Sequence, residues 1–266
     1  MNESALRQVA PGQVVSLSHM PFSFDGGIAR RAAIGLIVLA TDQTIEHEFR
    51  QIMSIEGVAY YETRIRNAAE INPTTLAEME KGLAGATGLI LPGSKLDVVA
   101  YGCTSGTVVI GEEQVFARIR EARPEVACTT PITAAIAGLK ALGAKRIALL
   151  TPYIEEVNQM FRGFIEARGI EVPVMGSFNH ENDIEVARIT EDSIRAAVHR
   201  LVAAGRIDAV FVSCTSLRVA AIADSLEREV GVPVTSSNHA LAWHCLRLAG
   251  YREPVAGFGS LFQLPG

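Results

Sequence analysis

From Ala32 onward the chain is punctuated by continuous apolar runs rather than alternating ones. AAIGLIVLA (32–40), VAYYETRI (58–65), LDVVAYG (96–102), VACTT (126–130), RIALLT (146–151), VPVMGSF (172–178), DAVFVS (208–213) and VPVTSS (232–237) are short and rich in β-branched residues. Runs of this kind belong to strands covered on both faces, as parallel strands are. The segments between them carry helix signals. NPTTLAEMEKGLAG has Pro73 just inside its start, and PITAAIAGLKALG opens on Pro131 and stops at Gly143. Proline at the first helical position and glycine just past the last are where these residues cost least. Strand and helix in alternation predict an α/β fold with parallel sheets.

The pattern occurs twice. IGLIVLATDQTIEHEFR from Ile34 matches IALLTPYIEEVNQMFR from Ile147, LDVVAYGCTSGT matches IDAVFVSCTSLR, and VACTTPITAAIAGLKALG matches VPVTSSNHALAWHCLRLAG. The three pairs keep their order along the chain, which predicts an internal duplication. The division expected is an extension at 1–30, a first α/β domain at 31–145 plus 237–266, and a second at 146–236. Ligands of parallel α/β units bind beyond the carboxyl ends of the strands. Cys103-Thr104-Ser105 and Cys214-Thr215-Ser216 both sit at such ends, so two facing domains would bring the motifs to one cleft.

Composition narrows the function. The 266 residues carry a net charge of −5 with no cluster of lysine and arginine, which leaves no footprint for nucleic acid or an anionic membrane. The longest apolar segment is too short for a bilayer span, and the N-terminus lacks the basic and apolar regions of a signal peptide. A cytoplasmic protein acting on small molecules is expected. The four cysteines include no C-x-x-C pair, the six histidines show no metal-ligand spacing, and no glycine-rich phosphate loop is present. Neither metal nor organic cofactor is therefore expected.

The chemistry then rests on thiols. Each cysteine of the repeated motif directly precedes a helical pattern, so free N–H groups and a positive dipole end should favour its thiolate, with the following Thr and Ser as hydroxyl donors. The same donors suit a substrate carboxylate. Cys128 and Cys245 lack this repetition and are read as packing residues, and His239 and His244 as helix residues held by ordinary hydrogen bonds. Asp42 has two readings, a substrate contact beside the cleft or the N-cap of the helix QTIEHEFRQIM.

Residues 33–258, and GCTSGT and SCTSLR in particular, resemble the aspartate/glutamate racemase superfamily in its branch of maleate isomerases and arylmalonate decarboxylases. The resemblance implies two pseudo-symmetric flavodoxin-like α/β domains and an active site in the interdomain cleft. It implies a catalytic pair, Cys103 and Cys214, and substrate-binding roles for Asp42, Thr104, Ser105, Tyr153, Asn182, Thr215 and Ser216. The substrate would be a small carboxylate, and copies of the chain itself are admitted as partners. Ser216 replaces a histidine of glutamate racemases, Cys103 replaces a glycine of arylmalonate decarboxylases, and Asp42 replaces an asparagine of maleate isomerases. The combination is most similar to the racemase-like protein found with ectoine and hydroxyectoine degradation enzymes. The implied activity is a racemase or isomerase of an amino or hydroxy carboxylate, with maleate cis-trans isomerisation and non-catalytic carboxylate binding as the other readings.

Overall fold

The computed structural model describes Val14, residues 16–68, Glu70, and residues 72–180 and 182–265. The first half runs β1 (Ala32–Leu39), α1 (Ile45–Ile52), β2 (Val58–Ile65), α2 (Pro73–Glu78), α3 (Leu83–Leu89), β3 (Val98–Tyr101), α4 (Thr104–Ile110), α5 (Glu112–Ala122), β4 (Ala127–Thr129) and α6 (Pro131–Ala141). The second runs β5 (Arg146–Thr151), α7 (Glu155–Glu166), β6 (Glu171–Ser177), α8 (Asp183–Val186), α9 (Glu191–Ala204), β7 (Ala209–Val212), α10 (Ala223–Val230), β8 (Val234–Ser236) and α11 (Ser237–Leu248).

Two four-stranded sheets form, ordered β2-β1-β3-β4 and β6-β5-β7-β8, with every pairing parallel. The orders are the same when the halves are superposed, as the repeated sequence requires. All eight apolar runs are strands. β1, β3 and β7 are buried along their whole lengths, which is why those runs do not alternate. The helical stretch after Pro73 is divided, with a 3₁₀ turn at Met79–Gly82 between α2 and α3.

The third repeat pair supplies α6 and α11, which pack on one another. Thr130 caps α6 by accepting from the Thr133 amide, and Ser236 caps α11 by accepting from the His239 amide. Helix α11 also lies against α1 and β3, and its first seven residues are all buried. Its polar members are therefore hydrogen-bonded. His239 pairs with the Thr235 hydroxyl and the Phe258 carbonyl, and His244 with the Thr129 hydroxyl.

One local expectation fails. No helix follows Cys214 directly: residues 215–222 are turns, and α10 begins only at Ala223. Of the extension, residues 1–13 and Val15 lie outside the described residues, while Leu17, Met20, Phe22, Phe24 and Ile28 are exposed. Among the described residues no helix is long and apolar enough to cross a membrane.

Candidate active site

The loops after β3 and β7 carry Cys103 and Cys214, and both cysteines line one cavity. Thr104, Ser105, Thr215 and Tyr153 share its wall, as does Asp183. The free space within it is about 20 Å³, room for about one water molecule, and the cavity is partly open to solvent. Asn67, Glu70 and Thr75 also line it, and Glu70 forms an isolated antiparallel bridge with Asn182, joining a loop of the first half to one of the second.

Cys103 is the N-cap of α4. Its sulfur accepts from the Gly106 amide at 3.2 Å and lies 3.8 Å from the Ser105 hydroxyl. Burial nevertheless pushes the thiol up to about 11, the amide and hydroxyl pulling it back and the Asp183 charge adding to the rise. Gly106 is what lets the sulfur sit there. A Cβ at that position would stand 2.6 Å from the Tyr101 hydroxyl, 2.8 Å from the Met79 methyl and 2.9 Å from the Cys103 sulfur. Gly106→Ala should therefore displace the thiol and lower turnover about 10- to 100-fold, as misplaced reacting groups do. Initial rates measured beside thermal melts check this; unchanged rates would mean that the Cys103 position is not critical.

Cys214 is held differently. Its φ is +147°, a conformation that side-chain-bearing residues seldom adopt and that persists only where the surroundings fix it. Its amide donates to the Ser237 hydroxyl at 3.0 Å, and its sulfur accepts from the Ser216 amide at 3.4 Å. The same Ser237 hydroxyl pairs with that of Thr104 at 2.8 Å, so one residue of α11 ties the two motifs together. Burial and the Asp183 charge raise this thiol further than Cys103, while the Ser216 amide and Tyr153 hydroxyl oppose them. The expectation that the helix-start N–H groups favour each thiolate is thus corrected. Desolvation outweighs the few N–H groups that face each sulfur, and both stand protonated at neutral pH.

Asp42, Ser216 and Asn182 are absent from the cavity wall. Asp42 does not hold the N-cap position of α1, which falls to Thr44; its Oδ1 accepts from the Thr44 and Ile45 amides at 2.8 Å each, just ahead of the helix. Ser216 instead donates its hydroxyl to Asp183 Oδ1 at 2.7 Å. Asn182 caps α8 by accepting from the Glu185 amide, so its neighbour Asp183 is the residue that faces inward. Cys245 is buried in α11 and Cys128 half-buried on β4, and neither lines the cavity.

Sequence reasoning passed over Glu48. Its Oε1 accepts from the Val219 and Ala220 amides at 2.7 Å each, and its Oε2 from Asn238 Nδ2 at 2.8 Å. The Asn238 amide also donates to the Thr215 carbonyl at 2.7 Å. The turn that carries Cys214 is thereby hung from α1 and α11. The signal was a glutamate on the apolar face of α1, between Ile45, Phe49 and Ile52 at helical spacing.

Burial raises Glu48 to about 7 and Asp42 to about 6, and lowers His239 and His244 to about 4 each. The raised carboxylates contribute stability that is present at low pH and lost as pH rises through their folded values. The depressed histidines contribute stability present above their unfolded value and lost as pH falls toward 4. Between about pH 4 and 7 the two pairs oppose, and a nearly flat profile is expected. Glu48→Gln should unbalance it, so that stability rises between pH 4.5 and 7 by on the order of 3 kcal/mol more than in the parent. Urea titrations at the two pH values measure the difference; parallel profiles would show that Glu48 does not titrate in this window.

Among the described residues no group of three or more His, Cys, Asp or Glu is placed to hold a metal ion. Comparison with known proteins agrees with the architecture. The maleate isomerase of Nocardia farcinica is 27% identical over 241 residues, spanning 86% of this chain and 95% of that protein. The arylmalonate decarboxylase of Bordetella bronchiseptica is 35% identical over 138 residues, 51% of this chain and 58% of that one. The structure of the Nocardia farcinica maleate cis-trans isomerase bound to Tris superposes with a TM-score of 0.79 at 26% identity, covering 87% of this chain and 98% of that one. The family profile described as arylmalonate decarboxylase matches residues 96–262, which span both cysteine motifs and the helix that joins them. The chain belongs to the arylmalonate decarboxylase family.

Proposed function

We propose that the chain is a cofactor-independent isomerase of a small amino or hydroxy carboxylate, with Cys103 and Cys214 acting from opposite sides of the substrate carbon. The observation that carries this reading is the convergence of two thiols from equivalent strand ends on one cavity. Cys103 has the lower barrier to ionisation and serves as base. Once Cys103 has released its own proton to solvent, the thiolate takes the substrate proton and the electron pair of the broken C–H bond passes into the carboxylate. Cys214 gives its proton to the other face and is left as the thiolate. The Thr104, Ser105, Thr215 and Tyr153 hydroxyls supply donors for the substrate oxygens as charge grows on them.

The likeness to maleate isomerases over most of both chains favours a second form of the same chemistry. There the Cys103 thiolate adds to a double bond, forming C–S while the π pair of the C=C passes into the adjacent carboxylate and leaves a single C–C bond. Rotation and elimination then complete the isomerisation. Incubation with small carboxylates in heavy water separates the forms. Deuterium at the chiral carbon with mixing of enantiomers supports the first, and a protein adduct with conversion of maleate to fumarate supports the second. Binding with neither outcome would favour a non-catalytic carboxylate-binding protein.

The same reading keeps the first domain at 31–145 plus 237–266 and the second at 146–236, supported by the packing of α11 on α6, α1 and β3. A cytoplasmic location is supported by four free cysteines. The finer assignment, a step in ectoine or hydroxyectoine degradation, rests on the resemblance described above and on the acidic residues around the cavity.

A further inference from the structure

We infer that the cavity selects a substrate bearing an ammonium group together with its carboxylate, and that Asp183 is the residue that receives the ammonium. The inference deepens the isomerase reading and rests on it for the identity of the site.

Asp183 is 7% exposed and lies on the cavity wall. Both of its oxygens are held by neutral donors: Oδ1 accepts from the Ser216 hydroxyl and Oδ2 from the Thr41 hydroxyl, each at 2.7 Å. A carboxylate has about four acceptor positions, so each oxygen retains one. No lysine, arginine or histidine is among the described residues that line the cavity, and the other charged one, Glu70, is also acidic. Buried charges are ordinarily paired, and here the fold offers Asp183 no cation. The walls thus present a carboxylate from α8 and the hydroxyls of Thr104, Ser105 and Thr215 from the cysteine loops. A molecule with one positive and one negative group satisfies both. A dicarboxylate would set its second anion against the Asp183 carboxylate, with no lining cation to receive it.

Charge selection also bears on the chemistry. The Asp183 charge is among the causes that hold both thiols protonated. An ammonium placed on Asp183 cancels that charge, so a correctly charged substrate eases the ionisation it needs, and a dicarboxylate makes it harder.

The test has two arms on the full chain. In the first, α-proton exchange in heavy water is measured for α-amino carboxylates, for carbon-matched α-hydroxy carboxylates and, as cis-trans conversion, for maleate. Wild type is expected to favour the amino members, and Asp183→Asn to reduce the amino-to-hydroxy ratio about 10- to 100-fold, the effect of one charge at close range. Equal use of the hydroxy members, efficient maleate conversion, or a ratio unmoved by Asp183→Asn overturns the inference while leaving the isomerase reading intact. The second arm needs no turnover. Cationic aminoethyl and anionic sulfonatoethyl methanethiosulfonates are compared for their rates of labelling Cys103 and Cys214, read by peptide mass. A preference for the cation that Asp183→Asn removes supports the inference even if no carboxylate is turned over, an outcome that would sink the isomerase reading alone. No preference in wild type overturns the inference. Asparagine matches aspartate in size and can bond both Thr41 and Ser216, and thermal melts confirm that the variant is folded.

Discussion

Cys103→Ser and Cys214→Ser should each reduce interconversion by about 10² to 10⁴-fold, the usual consequence of losing one acid–base group, with little change in melting temperature. Serine retains an acceptor for the Gly106 amide at position 103 and for the Ser216 amide at position 214. A hydroxyl is too weak an acid to become a base here, whereas the Cys103 thiol, at about 11, can be ionised when a substrate alters its surroundings. The two variants should differ from one another. Two bases on opposite faces exchange the proton of either enantiomer, so Cys103→Ser should keep exchange on the enantiomer facing Cys214, and Cys214→Ser the converse. Cys128→Ser and Cys245→Ser serve as controls within a few-fold of the parent, although burying a hydroxyl at Cys245 costs about 1–3 kcal/mol. Turnover and single-enantiomer deuterium exchange across the four variants decide the matter, and full turnover in either Cys103→Ser or Cys214→Ser would exclude a two-thiol mechanism.

Glu48→Ala should be the most damaging change outside the cavity wall. It strips the partners from the Val219 and Ala220 amides and from one arm of Asn238, all buried. Each unsatisfied group costs about 1–3 kcal/mol, so a loss of roughly 3–9 kcal/mol is expected. Activity should fall further than the remaining folded fraction accounts for, because the strained φ of Cys214 depends on the turn that Glu48 suspends. Glu48→Gln is the companion variant. Its carbonyl can still accept from both amides, but its new NH₂ faces the Asn238 Nδ2 donor. If Asn238 flips to present its oxygen, which has no partner in the parent, its bond to the Thr215 carbonyl is lost. Glu48→Gln should therefore retain most of the stability and lose part of the rate. Denaturant titration and kcat are the two readouts, and a variant that loses stability and rate in strict proportion would reduce Glu48 to a packing residue.

The fold was legible because buried parallel strands leave an unmistakable record. Eight apolar runs, two of them ending in Cys-Thr-Ser, established the duplication and the sheet class without reference to any distant contact. Six of the nine expected site positions face the cavity for the same reason, since strand ends in a parallel sheet share one rim. What escaped were partnerships between distant segments. Glu48 meets Val219 across 171 positions, and Ser237 meets Thr104 across 133. Neither contact has a local period to betray it. Asn182 and Asp183 show a finer limit, because an asparagine next to an aspartate gives two candidates, and only the cap of α8 decides which one turns inward. The thiols mislead in another way. Position at a helix start is visible in a sequence, but the depth of burial that overrides it is not.

The bridge between Glu70 and Asn182 ties a loop of each half together beside a cavity with free space for about one solvent molecule. On the proposed reading, a substrate larger than water would have to widen that space, and the two tied loops, one from each half of the chain, would move together to admit it. In the two-thiol form proposed above, the handedness of the product would be settled by two sulfur atoms in competition, one on each face of the substrate carbon.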